Sequence, residues 1–158
     1  MLKTQPKKTV EVAGTVSSLL KHKDSQIWSI GSRATVFEAI ALMAEKNIGA
    51  LPVLSGEKLV GILTERDYTR KVILKGKSSK QTAIEDIMTG ALVVASPGDS
   101  VTGCMKIMTE RRVRHLPVME GEKLIGILSM GDLVRWVILA QAATIDQLES
   151  YVTGGYSA

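Results

Sequence analysis

The chain carries a single cysteine, Cys104. That rules out a disulfide framework and any cysteine-based metal cluster. Aromatic residues make up only 4% of the sequence, against a hydrophobic fraction of 45%. Aliphatic side chains and methionines such as Met43, Met105 and Met108 must therefore fill the core. No apolar run reaches the roughly 18 residues that span a bilayer. The N-terminus lacks the apolar core of a signal peptide. Residues 1–12 are basic at Lys3, Lys7 and Lys8 but lack the Arg- and Ser-rich character of a transit peptide, so the expected location is cytoplasmic, with no membrane partner. His22 and His115 lie far apart without ligand spacing, and no metal is expected. The chain has no Ser-His-Asp set, paired carboxylates or zinc motif, so an enzyme is not expected either. Gly76-Lys77-Ser78 imitates the end of a phosphate-binding loop, but Lys71 stands where that loop requires glycine.

What the chain does have is a repeat. Gly49 to Asp67 contains Leu51-Pro52-Val53, Gly56-Glu57-Lys58-Leu59 and Gly61-Ile62-Leu63. Arg114 to Asp132 contains Leu116-Pro117-Val118, Gly121-Glu122-Lys123-Leu124 and Gly126-Ile127-Leu128. The offset is a constant 65 residues, from Pro52 to Pro117, Gly61 to Gly126 and Asp67 to Asp132. The chain is a tandem copy of one supersecondary unit, and its function must explain why two copies are needed.

Each copy reads β-α-β-β-α. In the first, Val16 to Leu20 suggests a short helical turn, Lys21 to Ser25 a polar loop and Gln26 to Ile30 a short strand. Thr35 and Glu38 form a capping-box pattern ahead of a helix whose apolar face is Val36, Ile40, Met43 and Ala44. Pro52 keeps Ile48 to Leu54 extended. Ser55-Gly56 turns the chain into a strand from Lys58 to Leu63, and Thr64 caps a second helix running to about Leu74. In the second copy the expected parts are a turn at Ile84 to Met88, a strand at Leu92 to Ala95 and a helix from Val101 to about Arg112. A hairpin at Glu120-Gly121 and a longer helix from Asp132 follow. Ile145, Leu148 and Val152 continue that helix's apolar spacing until Gly154-Gly155 stops it. The expected divisions are an arm over 1–15, repeats over 16–74 and 84–142, a linker over 75–83, and a helical extension and tail over 143–158. The fold class is α+β, and two half-covered sheets explain the duplication because each can bury the other.

These marks resemble the CBS domain pair, or Bateman module, over about residues 16–142. The Leu-Pro-Val and Gly-Ile-Leu strands and the ends Thr64-Glu65-Arg66-Asp67 and Ser129-Met130-Gly131-Asp132 carry the resemblance. Glu65 to Tyr68, Arg114 to Pro117 and Gly154-Gly155-Tyr156 are similar to stand-alone CBS-pair proteins of bacteria and plant organelles. The resemblance implies a disc-like homodimer and clefts between the repeats for an adenosine-containing ligand: AMP, ADP, ATP, NAD or S-adenosylmethionine. That ligand is regulatory, and no catalytic cofactor is implied. With no effector domain in the sequence, an effector protein would read the signal in trans.

The residues themselves fit this chemistry. Both Thr/Ser-x-x-Asp ends stand at strand-to-helix junctions, where unpaired N–H groups favour phosphate. A carboxylate only accepts hydrogen bonds, which suits the vicinal hydroxyls of a ribose. The same pattern is also a plain helix cap. By the family's geometry one cleft joins Ser129, Asp132, Arg114 and His115 to Trp28, Ile48, Gly49 and Ala50. The other joins Thr64, Asp67, Arg66 and Arg70 to Leu92, Val93 and Val113. The first is favoured because an arginine fork and a histidine are good phosphate donors. A net charge of +4 and a pI near 9.2 agree with a phosphate-bearing ligand. Nucleic acid is not expected, since no aromatic stacking platform is present. The competing expectation is a structural dimerisation and protein-interaction module, a constitutive dimer that docks a partner protein with its clefts empty through the C-terminal helix and Lys75 to Lys80.

Overall fold

The structure is a computed structural model that describes residues 14–24 and 26–154. The arm expected over the first residues lies largely outside that range, as does Gly155. Helix α1 (Val16–Lys21) is capped by the Thr15 side chain, which accepts from the Ser18 N–H. Strand β1 spans only Ile30–Gly31. Gln26 to Ser29 is irregular, because four residues with one alternation give too little pairing surface. Helix α2 (Val36–Lys46) opens on the capping box of Thr35 and Glu38 and ends at Asn47, which is left-handed at φ 53°. Its buried face is Val36, Ala39 and Met43. Ala44 is exposed, because the helix packs one residue further round than the expected stripe.

Strands β2 (Ala50–Ser55) and β3 (Lys58–Thr64) form the hairpin, with Gly56 at φ 63° in the turn. Helix α3 (Glu65–Tyr68) follows and widens into a π turn over Thr69–Ile73, so the expected helix to Leu74 is not a continuous α-helix. A 3-10 turn at Ile84–Asp86 leads into the second copy. There, α4 (Val101–Arg111) is capped by Ser100. It precedes the hairpin of β4 (His115–Glu120) and β5 (Lys123–Ser129) and the long α5 (Met130–Gly154).

The expected strand at Leu92 to Ala95 is reduced to one parallel bridge, Ala95 to Val118. The first sheet thus has the order β1-β2-β3, and the second is the hairpin alone. The hairpins are otherwise superposable in register. Leu51 pairs with Leu63 and Leu116 with Leu128, and each hairpin slips register at the same place, after Val53 and after Val118.

Two cores result, and each is completed by a segment from outside its own hairpin. Val36, Ala39, Met43, Leu51, Val53, Leu63 and Val72 pack with Ile84 and Ile87. Val101, Cys104, Met108, Leu116, Val118, Leu128 and Leu133 pack with Val16 and Leu19. From Val16 on, the chain therefore runs first into the second core, builds the first, returns through Ile84 and then builds the second. Backbone bonds lock both crossings. Val16 and Ser17 donate to the Asp99 and Pro97 carbonyls at 2.9 Å, and Ile84 donates to Ala34 at 2.9 Å. Fully burying a side chain such as Ile84 contributes about 2–3 kcal/mol. Neither core keeps its full complement without the other copy.

The interlock also explains the glycines of the Gly-Ile-Leu strands. A Cβ on Gly61 would stand 2.5 Å from Met88 Sδ and 3.1 Å from the Thr89 carbonyl. A Cβ on Gly126 would stand 2.8 Å from Leu20 Cδ2. Each glycine lets the crossing segment lie flat on the hairpin.

Candidate ligand cleft

The Thr/Ser-x-x-Asp ends fold as the local sequence dictates. Thr64 Oγ1 accepts from the Asp67 N–H at 3.1 Å, and Asp67 Oδ2 accepts from the Thr64 N–H at 3.0 Å. Ser129 Oγ accepts from the Asp132 N–H at 3.1 Å, and Asp132 Oδ2 accepts from the Ser129 N–H at 2.8 Å. Both motifs are thus reciprocal caps, before any ligand is considered.

The two carboxylates differ in what else holds them. Asp67 Oδ1 meets Lys71 Nζ at 3.0 Å, one turn along its own helical segment, and the Thr89 hydroxyl at a long 3.4 Å. Asp132 is buried, with 7% of its side chain exposed. Its Oδ2 takes Lys23 Nζ at 2.7 Å, and its Oδ1 takes Arg135 at 2.9 Å. Lys23 also donates to the Ile127 carbonyl at 2.6 Å. Burial alone would push the Asp132 carboxyl up. The hydrogen bonds from Lys23 and the Ser129 N–H, the Lys23 charge and Arg135 outweigh it and hold the group below its ordinary value. Asp132 is an anion clamped by a cation 109 residues away in sequence.

Asp132, Lys23 and Arg135 line a cavity of about 390 Å³ together with His22, Asp24, Trp136, Leu19 and Leu139. A neighbouring cavity of about 280 Å³ shares Lys23 and Asp24 and runs along Gln26, Ile27 and Ile125 to Ile127. The walls of the larger one combine two cations, Lys23 and Arg135, two carboxylates, Asp24 and Asp132, and the Trp136 indole.

The other residues expected in this cleft are placed unevenly. Gly49 and His115, from opposite copies, are neighbours: a Cβ at Gly49 would lie 3.7 Å from His115 Cε1. Arg114 is exposed, and its backbone carbonyl accepts from the Met130 N–H at 2.9 Å. Burial pushes the His115 imidazole down, Asp132 raises it in part, and Lys23 and Arg114 lower it further. The net result is a neutral ring at pH 7 that can both donate and accept. Ala50 is buried in β2, and Ile48 packs on the first core. Trp28 packs there too, with Lys46 Nζ 4.1 Å from its ring centre. Of the eight, Asp132 lines the cavity, and the remaining seven line neither it nor its neighbour.

In the second expected cleft, Arg66 and Arg70 are exposed, and Val93 and Val113 pack on the second core. Leu92 is half-buried. The residue from the second copy that reaches Asp67 is Thr89.

Sequence reasoning missed Lys71, Arg135, Lys23 and Thr89. The first two stand four and three residues after their aspartates, and that helical spacing was a readable signal. Lys23 and Thr89 carry no such signal, since only the crossing of the copies brings them in. The buried Cys104 thiol is pushed up to about 11 by burial and by Asp99. A thiol so held is not a nucleophile at neutral pH.

Two copies of one unit, interlocked and ending in Thr/Ser-x-x-Asp, meet their counterpart in the family comparison. The CBS domain profile matches residues 19–73 and again 84–139. The chain belongs to the CBS domain family. It is 39% identical to the CBS domain-containing protein CBSX3, mitochondrial, of Arabidopsis thaliana, over 97% of this chain and 80% of that protein. A CBS-domain protein of Burkholderia ambifaria MC40-6 superposes with a TM-score of 0.78 at 50% identity, covering 80% of this chain and 95% of that one. The CBS domain pair of protein MJ0100, solved with 5′-methylthioadenosine and S-adenosyl-L-methionine, superposes at 0.69 and 25% identity, over 77% of this chain and 94% of that one. The tandem CBS fold expected from the repeat is thus the fold of this chain. Among the described residues, no helix is long and apolar enough to cross a membrane.

Proposed function

We propose that this CBS pair is a non-catalytic regulatory module. It binds an adenosine-containing ligand between its copies and passes occupancy to an effector protein in trans. The observation that carries this reading is the clamp at Asp132. Its carboxylate closes the N-terminus of α5 in the second copy, and its cation, Lys23, comes from the loop after α1. A ribose whose hydroxyls donate to Asp132 would compete with that ammonium. The released Lys23, with Arg135, would then face the ligand's phosphate or other anionic group. Exchanging one partner for the other alters how the two copies are tied, and this is the kind of differential contact a ligand needs to shift a conformation. The adenosine-type ligands of the MJ0100 pair support the choice of ligand class.

A second reading has its own observation. Both aspartates are fully employed as caps and ion-pair partners without a ligand. On that reading the motifs are structural and the clefts stay empty.

Thermal unfolding with AMP, ADP, ATP, NAD, NADH and S-adenosylmethionine separates the two. The sensor reading expects a concentration-dependent rise with at least one of them, since binding to the native state adds stability by mass action. It also expects the rise to vanish in Asp132→Asn, which keeps the size of the side chain and removes its charge. No rise with any of the six leaves the structural reading.

A further inference from the structure

The basic charge of the chain is gathered in one place. Arg66 to Lys80 holds six basic residues and one acidic one, while the rest of the chain holds fourteen and fifteen. The net charge of +4 therefore comes from this stretch. Within it, Lys71 is taken by Asp67. Arg66, Arg70, Lys75, Lys77 and Lys80 are exposed. None of the five has an ion-pair partner among the described residues. The same stretch exposes Ile73 at 55% and Leu74 at 72%, although Val72 beside them is buried. Leu74 is the most exposed large aliphatic side chain among the described residues. Residues 74–80 lie between the two matched CBS repeats, 19–73 and 84–139, so the repeat pattern does not account for them.

The backbone brings these side chains to one turn. Arg66, Arg70 and Leu74 follow one another at four-residue intervals and share one side of α3 and the π turn after it. Asp67 and Lys71, one place on, face inward, where Lys71 donates to the Ile87 carbonyl at 2.9 Å. After Leu74 the chain reverses. Gly76 has φ of 65°. Its N–H donates to the Ile73 carbonyl at 3.1 Å, and the Lys77 N–H donates to the Val72 carbonyl at 3.0 Å. Lys75 and Lys77 thereby flank Ile73 and Leu74. Lys80 lies further along, with its Nζ 4.9 Å from the ring centre of the exposed Phe37. The result is an apolar tip in a ring of cations.

We propose that this tip is a contact surface for an anionic lipid bilayer. Ile73 and Leu74 enter the headgroup layer, and the five cations meet lipid phosphate and carboxylate groups. Each part of the arrangement answers to that occupant. An exposed leucine and isoleucine gain by leaving water at the headgroup boundary. Lysine and arginine stems lie along apolar surface while their charges stay among the headgroups. A second copy of this chain would instead set five cations against five. A nucleic acid would satisfy the cations but leave Leu74 in water. It would also find no stacking platform in the stretch, whose one aromatic residue, Tyr68, packs on the first core. Resting on a bilayer requires no spanning helix. The occupant is thus a lipid surface rather than the partner protein expected at Lys75 to Lys80. The proposal does not rest on the ligand reading, since none of these side chains lines the cavity at Asp132.

The test is co-sedimentation of the full chain with vesicles of equimolar phosphatidylserine and phosphatidylcholine, and with vesicles of phosphatidylcholine alone. The protein should pellet with the first and stay in solution with the second, and added salt should release it. Lys75→Gln/Lys77→Gln/Lys80→Gln should weaken binding about a hundredfold, at roughly fivefold per charge. Ile73→Ser/Leu74→Ser should weaken it about tenfold with every charge in place. All five substituted side chains are exposed, so the thermal transition should stay where it is and separate lost binding from lost folding. Relative to the unsubstituted chain, Leu74→Trp should add emission that shifts to the blue with the anionic vesicles only. No pelleting with the anionic vesicles would overturn the proposal, and so would equal pelleting with both kinds. Full binding by the glutamine variant would place the contact elsewhere on the chain. Full binding by the serine variant would mean an ionic contact without an inserted tip. Either result overturns the proposal. It also fails if light scattering shows that the serine variant dissociates a dimer, since a second copy then covers the tip. Lysine-dependent binding of an RNA duplex without vesicle binding would assign the patch to nucleic acid instead.

Discussion

The two copies share a pattern but not an equilibrium of forces, and the difference shows at their aspartates. Asp67 is held by Lys71, a neighbour on its own helical segment. Asp132 is held by Lys23 across the crossing of the copies and by Arg135. In the first copy the cation of the Thr/Ser-x-x-Asp cap comes from its own helical segment, and the second copy adds only the Thr89 hydroxyl at 3.4 Å and the Ile87 carbonyl that accepts from Lys71. In the second copy the cation itself ties both copies together. The copies also end differently. The first relaxes into a π turn and stops at Ile73, whereas the second continues through α5 to Gly154. Duplication supplied the scaffold, and the departures from symmetry mark where the copies are held differently.

The largest expected effect is at that tie. Asp132→Ala leaves Lys23 half-buried without its carboxylate and should cost about 3 kcal/mol. Asp67→Ala loses a cap and a more exposed ion pair and should cost about 1 kcal/mol. Urea unfolding at pH 7 compares them, and equal losses would erase the asymmetry. Acid should show it too. The Asp132 carboxyl lies lower in the folded state than in the unfolded chain, so its contribution is complete above about pH 4. That contribution is lost as pH falls through the depressed folded value.

The next effect compares the two flat crossings. Gly61→Ala drives a methyl against Met88 and the rigid Thr89 carbonyl, and about 2 kcal/mol is expected. Gly126→Ala meets only the end of Leu20, which can swing, and about 1 kcal/mol is expected. A reversed order would mean that the first crossing is the softer one.

His115 has no titratable counterpart, since Ala50 fills its place in the first copy. Its folded value lies below the unfolded one, so the unfolded state binds more protons between the two. Stability should therefore fall as pH drops below about 6.5. His115→Gln should flatten that segment of the stability profile. A profile unchanged by the substitution would show that the ring is not held neutral by burial.

The smallest effect is at the helix ends. Asn47 and Arg112 are equivalent caps with φ of 53° and 54°. Asparagine tolerates the left-handed region and arginine does so at a cost. Arg112→Gly should raise stability by about 0.5 kcal/mol, and Asn47→Gly by less. Thermal melts of the two variants check the order.

Much of this was readable in the sequence, for reasons that can be named. The 65-residue repeat gave the two hairpins, since Leu-Pro-Val and Gly-Ile-Leu carry their own extended backbone and turn chemistry. The Thr35 box and the Thr64 and Ser129 caps are local patterns, and local hydrogen bonds formed as written. The strands at Gln26 to Ile30 and Leu92 to Ala95 shrank because their pairing depends on neighbours that a short alternation does not specify. Ala44 was misplaced by one step of helix rotation, which the core settles rather than the stripe.

By itself the sequence determined the repeat, the caps and the family. These depend on contacts within a few residues or on a pattern stated twice. Only the tertiary structure decided that α1 completes the second core, that Ile84 and Ile87 complete the first, and that Lys23 closes on Asp132. Those contacts join residues tens to a hundred positions apart. Their free energy exists only once both hairpins have formed and crossed, and no local pattern records it.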